Sequence, residues 1–205
     1  MTVLIFELEL PPGDIWERLV SLDRGLTGDE VERAYKIGDH SLNLGPFSHI
    51  WHCPLPHMSP KVMQRTIEQS ALKIGRKPDV IMLDYLQLLG GRGASRYEKT
   101  ADNAEELKRL ARITDTIVFA TSQRVEKRGE GETDPEVYLH SARNASEIEN
   151  SSQWILGLWR DRDEPGLLHV KVIKATRGAP GLVVDCNFDG PTMTIRERVR
   201  SPEGR

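Results

Sequence analysis

Apolar residues along the chain fall into short runs rich in β-branched side chains: Thr2 to Leu8, Val80 to Tyr85, Thr116 to Ser122, Trp154 to Trp159, Leu168 to Ile173 and Leu182 to Asn187. Runs of this length predict buried strands. Segments with helical starts lie between the earlier runs. Thr27 is followed three residues later by Glu30, and Ser95 by Glu98, the spacing at which a hydroxyl caps an amide and a carboxylate reaches back to the cap. Ser59 precedes Pro60, which suits a first helical position. After Ser95, Ala101, Ala104, Leu107 and Ala111 recur at spacings of three, three and four, with Glu105, Lys108, Arg109 and Arg112 around them. One face of that helix is buried and the other is wet. The alternation predicts a mainly parallel sheet flanked by helices, because parallel neighbours need a crossover. After Arg143, strands follow one another across short turns, Arg160 to Gly166 and Arg177 to Gly181, which predicts antiparallel strands extending the end of that sheet.

Composition adds limits. The chain has 205 residues, 38% of them hydrophobic, without repeats or a dividing linker, and it reads as one α/β domain large enough to fold without disulfides or a structural metal. Two cysteines, Cys53 and Cys186, fit a reducing cytoplasm, and neither a membrane-length apolar run nor an export leader is present. A formal charge of −3 argues against coating a polyanion, so any nucleic-acid contact has to be local.

Candidate chemistry begins at Asp84, which closes the run Val80-Ile-Met-Leu-Asp84. A carboxylate at the end of a buried strand is how many phosphate-handling folds hold Mg²⁺, although Asp also ends strands as an ordinary turn residue. The larger pattern decides. Glu9 ends the first run and Gln123 follows the third, so three parallel strands would present Glu, Asp and Gln along one edge. Those side chains suit nucleotide hydrolysis: a base for water, a metal carboxylate and an amide that senses the γ-phosphate.

From Val3 to about Ile195 the sequence closely resembles the C-terminal motor domain of DnaB-family replicative helicases, a RecA-like ATPase. Val3-Leu-Ile-Phe-Glu-Leu-Glu9-Leu is similar to the motif with the catalytic glutamate, Asp84-Tyr-Leu-Gln-Leu to the Walker B segment, and Thr121-Ser-Gln123 to the phosphate sensor. Arg18 stands where the family usually has Arg. Arg143-Asn-Ala-Ser-Glu-Ile148-Glu149-Asn resembles the segment that follows single-stranded DNA in the ring's pore, and Lys174-Ala-Thr-Arg177-Gly resembles the one reaching a neighbouring subunit's ATP. The resemblance implies ATP and Mg²⁺ as cofactors, with Glu9, Asp84, Gln123, Lys174 and Arg177 in catalysis. It places Arg143, Asn144 and Ser146 near DNA. Implied partners are single-stranded DNA, a homo-hexamer, a helicase loader and primase, in a bacterial cytoplasm or a phage-infected cell.

This chain departs from the family in three ways. No G-x-x-x-x-G-K-[ST] occurs and none of the 17 glycines precedes a Lys, so the phosphate-loop strand and helix are expected to be absent. Gly90-Gly-Arg-Gly93 reads as a flexible loop. Since the resemblance begins near Met1, the missing part is expected upstream, with the family's helical N-terminal domain, or on a separate chain. Lys174 and Arg177 stand three apart where the family commonly has two, and Asn144 and Ser146 replace the usual Glu and Gly. Residues 196–205 read as a basic tail. A rival reading remains open: a DnaB-like interaction module or degenerate fragment that does not hydrolyse ATP. A recombination or clock-type relative on the same fold is a further alternative, less favoured by the Asp84-Tyr-Leu-Gln segment. His49-Ile-Trp-His52-Cys53-Pro-Leu-Pro-His57 holds metal-ligand types without zinc spacing and reads as a short strand entering a turn. Arg124 to Glu136, with three basic and five acidic residues, reads as a solvated loop.

Overall fold

The computed structural model describes residues 1–39, 41–55, 57–123, 136–137 and 145–199. They form two compact units, the first from the described residues of 1–16, 43–125 and 142–152, the second from those of 17–42, 126–141 and 153–205.

The first unit is built on a parallel sheet of β1 (Val3–Glu7), β2 (Ile50–Cys53), β3 (Val80–Asp84) and β4 (Ile117–Ala120), in the order β2-β1-β3-β4. Val3 pairs with both Ile50 and Val80, and Glu7 pairs with Asp84. Helix α3 (Pro60–Ile74) starts where Ser59 Oγ accepts the Val62 N–H, and α4 (Arg96–Thr114) starts with a complete Ser95/Glu98 capping box. These helices contribute Met63, Ile67, Leu107 and Leu110 to a core that includes Phe6, Ile81 and Leu83. Each such side chain, buried from water, contributes about 1.5–3 kcal/mol. The Gly90–Gly93 run is not a loose loop: a Cβ on Gly91 would collide with the buried Asn103 side chain, which donates to the Leu89 carbonyl at 2.8 Å. Glycine is needed there for close approach to α4.

The second unit holds α2 (Gly28–Lys36), capped by Thr27 and Glu30, and an antiparallel meander of β5 (Trp154–Arg160), β6 (Leu167–Ala175), β7 (Val183–Asp189) and β8 (Thr194–Glu197). Helix α1 (Pro12–Arg24) carries the chain from one unit to the other. Asp161 Oδ1 accepts the N–H groups of Asp163 and Glu164 and so closes the β5–β6 turn; these bonds hold its pKa below the ordinary value. His169 stacks on Trp159 and pairs with Asp185 at 2.9 Å. The antiparallel strands form a sheet of their own and do not extend the parallel one, and β8 takes up the start of the stretch read as a tail.

An all-parallel sheet is ordinarily covered on both faces. Here Ile81, Leu83 and Val118 join the core on one face; on the other, Val3, Val80 and Glu7 are buried, but Met82, Ile117 and Phe119, towards the β4 edge, are 42, 59 and 56% exposed. Among the described residues β4 has no strand beyond it. An open edge with an uncovered apolar face invites pairing with other chains. The 205-residue chain is therefore expected to self-associate as its concentration rises through the micromolar range, and co-expression with a segment carrying a phosphate-loop strand and helix should suppress this. Sedimentation velocity checks it; a monodisperse monomer without any such segment would contradict it.

Candidate active site

The carboxyl ends of β1, β3 and β4 form one edge. β1 stops at Glu7, two residues before Glu9, because the buried Glu7 carboxylate accepts the backbone N–H groups of Glu9 (2.8 Å) and Leu10 (2.9 Å). Pro11 and Pro12 then have no N–H with which to continue a ladder. Leu8 N–H donates to the Asp84 carbonyl at 2.9 Å, which ties this turn to β3, and Glu9 stands exposed beyond it.

Asp84 ends β3 as expected, half-buried, and its Oδ1 accepts the Thr121 hydroxyl at 2.5 Å. Thr121 also donates its N–H to the Leu83 carbonyl (3.0 Å) and accepts the Leu86 N–H (2.9 Å). Gln87 spans the gap to the next segment: its Nε2 donates to Ser122 Oγ at 2.8 Å and its Oε1 accepts the Gln123 N–H at 3.3 Å. Gln123 lies three residues past the end of β4, exposed, held by its backbone. Asp84 thus ends β3, while Glu9 and Gln123 stand two and three residues beyond the ends of the strands on either side of it.

The donors at this edge suit Mg²⁺, a hard cation that keeps most of its waters and needs one or two carboxylates plus substrate phosphate oxygens. Among the described residues there is no group of three or more His, Cys, Asp or Glu able to cage a metal. His52 and Cys53 are consecutive on β2 and so point to opposite faces. Burial pushes the Cys53 thiol up and the His52 imidazole down, the latter against the pull of the Glu7 charge.

Residues 1–197 match the family model described as the DnaB-like helicase C terminal domain. The chain belongs to this family. One relative, a probable plasmid replicative DNA helicase of Chlamydia muridarum, is 26% identical over 166 residues, covering 77% of this chain and 36% of that protein. Another, the replicative DNA helicase DnaB of Treponema pallidum, is 27% identical over 167 residues, covering 78% and 37%. The chain spans a little over a third of the length of these helicases. Among solved structures, one of an ATPase domain superposes with a TM-score of 0.84 at 22% identity, covering 97% of this chain and 75% of that one. A DnaB-like replicative helicase, solved in work that also addressed its interactions with primase, gives 0.82 at 23% identity, covering 95% and 51%. These superpositions establish the RecA-like α/β fold of DnaB-like ATPase domains. No helix among the described residues is long and apolar enough to cross a membrane.

The other residues singled out for this DnaB-like chain are distributed as follows. Arg143 and Asn144 lie outside the described residues, as do nearly all residues of the mixed-charge loop. Ser146 is in the first turn of α5 (Ala145–Ser151), and its hydroxyl donates to Glu147 Oε2 at 2.6 Å. The Tyr97 hydroxyl of α4 donates to the other oxygen of Glu147, and Lys108 Nζ donates to the Asn150 carbonyl at 3.0 Å, so α4 grips α5 at both ends. The bonds from Ser146 and Tyr97 lower the Glu147 pKa, and the Glu147 bond raises that of Tyr97. Lys174 and Arg177 belong to the second unit. Lys174 sits on β6 opposite Ile155, beside a β-bulge that leaves Ile173 without a partner. Arg177 is exposed in the β6–β7 turn, beyond the end of the strand, so strand alternation does not set its direction. Sequence reasoning missed Glu7, Gln87 and Tyr97, whose importance lies in hydrogen bonds to other segments.

Proposed function

We propose that this chain is the greater part of the motor of a hexameric replicative helicase that couples ATP hydrolysis to movement along single-stranded DNA and so to unwinding. The observation carrying this reading is the position of Glu9, Asp84 and Gln123 at or just past the carboxyl ends of three adjacent parallel strands, in a chain matched by the DnaB-like family model from 1 to 197. Mg²⁺-ATP, when bound, supplies the phosphoanhydride to be cleaved and neutralises its charge. Glu9 aligns the attacking water and takes its proton. Asp84 holds the metal through its water shell, with Thr121 fixing the carboxylate. Gln123 senses the γ-phosphate, its backbone steadied by Gln87. Lys174 and Arg177 act on ATP bound by the neighbouring subunit. Arg143, Asn144 and Ser146 line the path of single-stranded DNA and contact its backbone, so they carry little base preference, as a motor moving over any sequence requires. Partners on this reading are the other five subunits, single-stranded DNA, a loader and primase, in the cytoplasm.

The lack of a phosphate loop in these 205 residues favours a second reading, a module of helicase rings that does not hydrolyse ATP. One experiment separates them. The 205-residue chain is expected to bind ATP more weakly than micromolar and to show no turnover, because its sequence holds no G-x-x-x-x-G-K-[ST] to cradle the β- and γ-phosphates. Joined to, or co-expressed with, a segment containing G-x-x-x-x-G-K-[ST], it should gain ATPase activity stimulated by single-stranded DNA. A completed chain that binds nucleotide without turnover would leave the second reading in place.

A further inference from the structure

We propose that Glu7 is a positioning residue: its buried carboxylate holds the turn that carries Glu9. The inference rests on the reading of Glu9 as the group that aligns water, and deepens it.

Glu7 is 2% exposed, at the end of a central strand and in register with Asp84. Burying a carboxylate is costly unless hydrogen bonds or a countercharge compensate. Among the described residues Glu7 forms no ion pair with Lys or Arg, and burial lowers the pKa of the nearby His52 imidazole against the pull of the Glu7 charge, which disfavours His52 as a countercharge. The compensation comes from the backbone, since Oε1 accepts two N–H groups, those of Glu9 and Leu10. Bonds of this kind, with an ionised acceptor, are about twice as strong as neutral ones. They are also the last amide donors before Pro11 and Pro12, where no backbone N–H can anchor the chain. An apolar side chain at position 7 would leave both donors without an acceptor and the turn without its fastening. Leu8, between Glu7 and Glu9, donates its N–H to the Asp84 carbonyl, so the turn is fixed to β3 on one side and to Glu7 on the other.

The deciding substitution keeps the length of the side chain and removes its acceptor. Glu7→Met does so, whereas Glu7→Gln keeps an acceptor oxygen at the same distance from the backbone; a shorter Asp decides nothing, since Asp161 holds the amides two and three residues ahead of it in its own turn. The test is amide hydrogen exchange by mass spectrometry with residue-level fragmentation, at low concentration, on the 205-residue chain and both variants, together with kcat and KM for ATP in the chain joined to a phosphate-loop segment. Glu7→Met should speed exchange at Glu9 and Leu10 about tenfold or more, the scale of one lost hydrogen bond, with Leu4 and Phe6 unchanged. It should also lower kcat by about 10- to 100-fold, the scale of a displaced catalytic group, with KM within about twofold. Glu7→Gln, whose neutral acceptor makes weaker bonds, should fall between wild type and Glu7→Met in both. Protection of Glu9 and Leu10 in Glu7→Met overturns the proposal, as does a loss in Glu7→Gln as large as that in Glu7→Met. If Glu7→Met does not melt cooperatively, Glu7→Gln decides alone: protected amides support the proposal and freed amides overturn it. Freed amides in Glu7→Met alongside full turnover in Glu9→Gln would support the holding role while overturning the reading of Glu9.

Discussion

In rings of the chain joined to a phosphate-loop segment, Arg177→Ala is expected to lower ATP turnover by about 10³-fold or more, the scale of an arginine finger supplied in trans. Arg177 stands exposed in the β6–β7 turn, beyond the strand that carries Lys174, with Gly178 at φ 102° directly after it. That placement leaves Arg177 beyond the end of the strand, as the proposed role in trans requires. Arg177→Lys should not rescue turnover, because a compact ammonium cannot reproduce the planar fork with which arginine meets phosphate oxygens. The defect should complement in mixtures. Subunits bearing Arg177→Ala, mixed with subunits bearing Glu9→Gln, produce some interfaces with both defects and some with neither, and the latter should restore part of the turnover. The assay couples ATP turnover to native mass spectrometry, which verifies that mixed rings form. Mixed rings without recovered activity would mean that Arg177 acts within its own subunit or not at all.

Glu9→Gln in the same completed chain is expected to leave nucleotide binding within a few-fold and to lower turnover by about 10² or more, the usual scale for losing a general base. The substitution is nearly isosteric. Glu9 is exposed, and its backbone N–H is already satisfied by Glu7, so removing the side-chain charge leaves the turn in place. A loss of turnover with unchanged Tm and ATP affinity therefore reports chemistry and not folding. Turnover close to wild type would remove Glu9 from its role.

The parts of the fold legible in the sequence are those governed by local rules. The Thr27/Glu30 and Ser95/Glu98 capping boxes and the Ser59-Pro60 start all open helices, and the apolar runs at Val3 and Val80 form the central strands. Asp84 could be found because the change from apolar strand to carboxylate is written in consecutive residues. The end of β1 could not, because it depends on a side chain accepting amides two and three residues ahead; the only local hint is an acid followed by Pro11-Pro12. Gly90–Gly93 looked loose because the tightness comes from Asn103, on a helix not yet formed when the sequence is read. The strand at Thr194–Glu197 is short, polar and on an edge, and carries no pattern of its own. Gln87 reads as one polar residue in an apolar stretch until Ser122 and Gln123 are brought beside it.

The double grip of α4 on α5 makes the pair one stiff lever. Tyr97 and Lys108 sit about 16 Å apart along α4 at a helical rise of 1.5 Å per residue, so α5 cannot roll or slide along α4 without releasing one of them. Midway between Tyr97 and Lys108, α4 is also anchored by Asn103 to Leu89, five residues beyond Asp84. Turning α4 by about 10° about Asn103 would move Tyr97 and Lys108, each roughly 8 Å from it along the axis, by about 1.5 Å in opposite directions, and would turn α5 through the same angle.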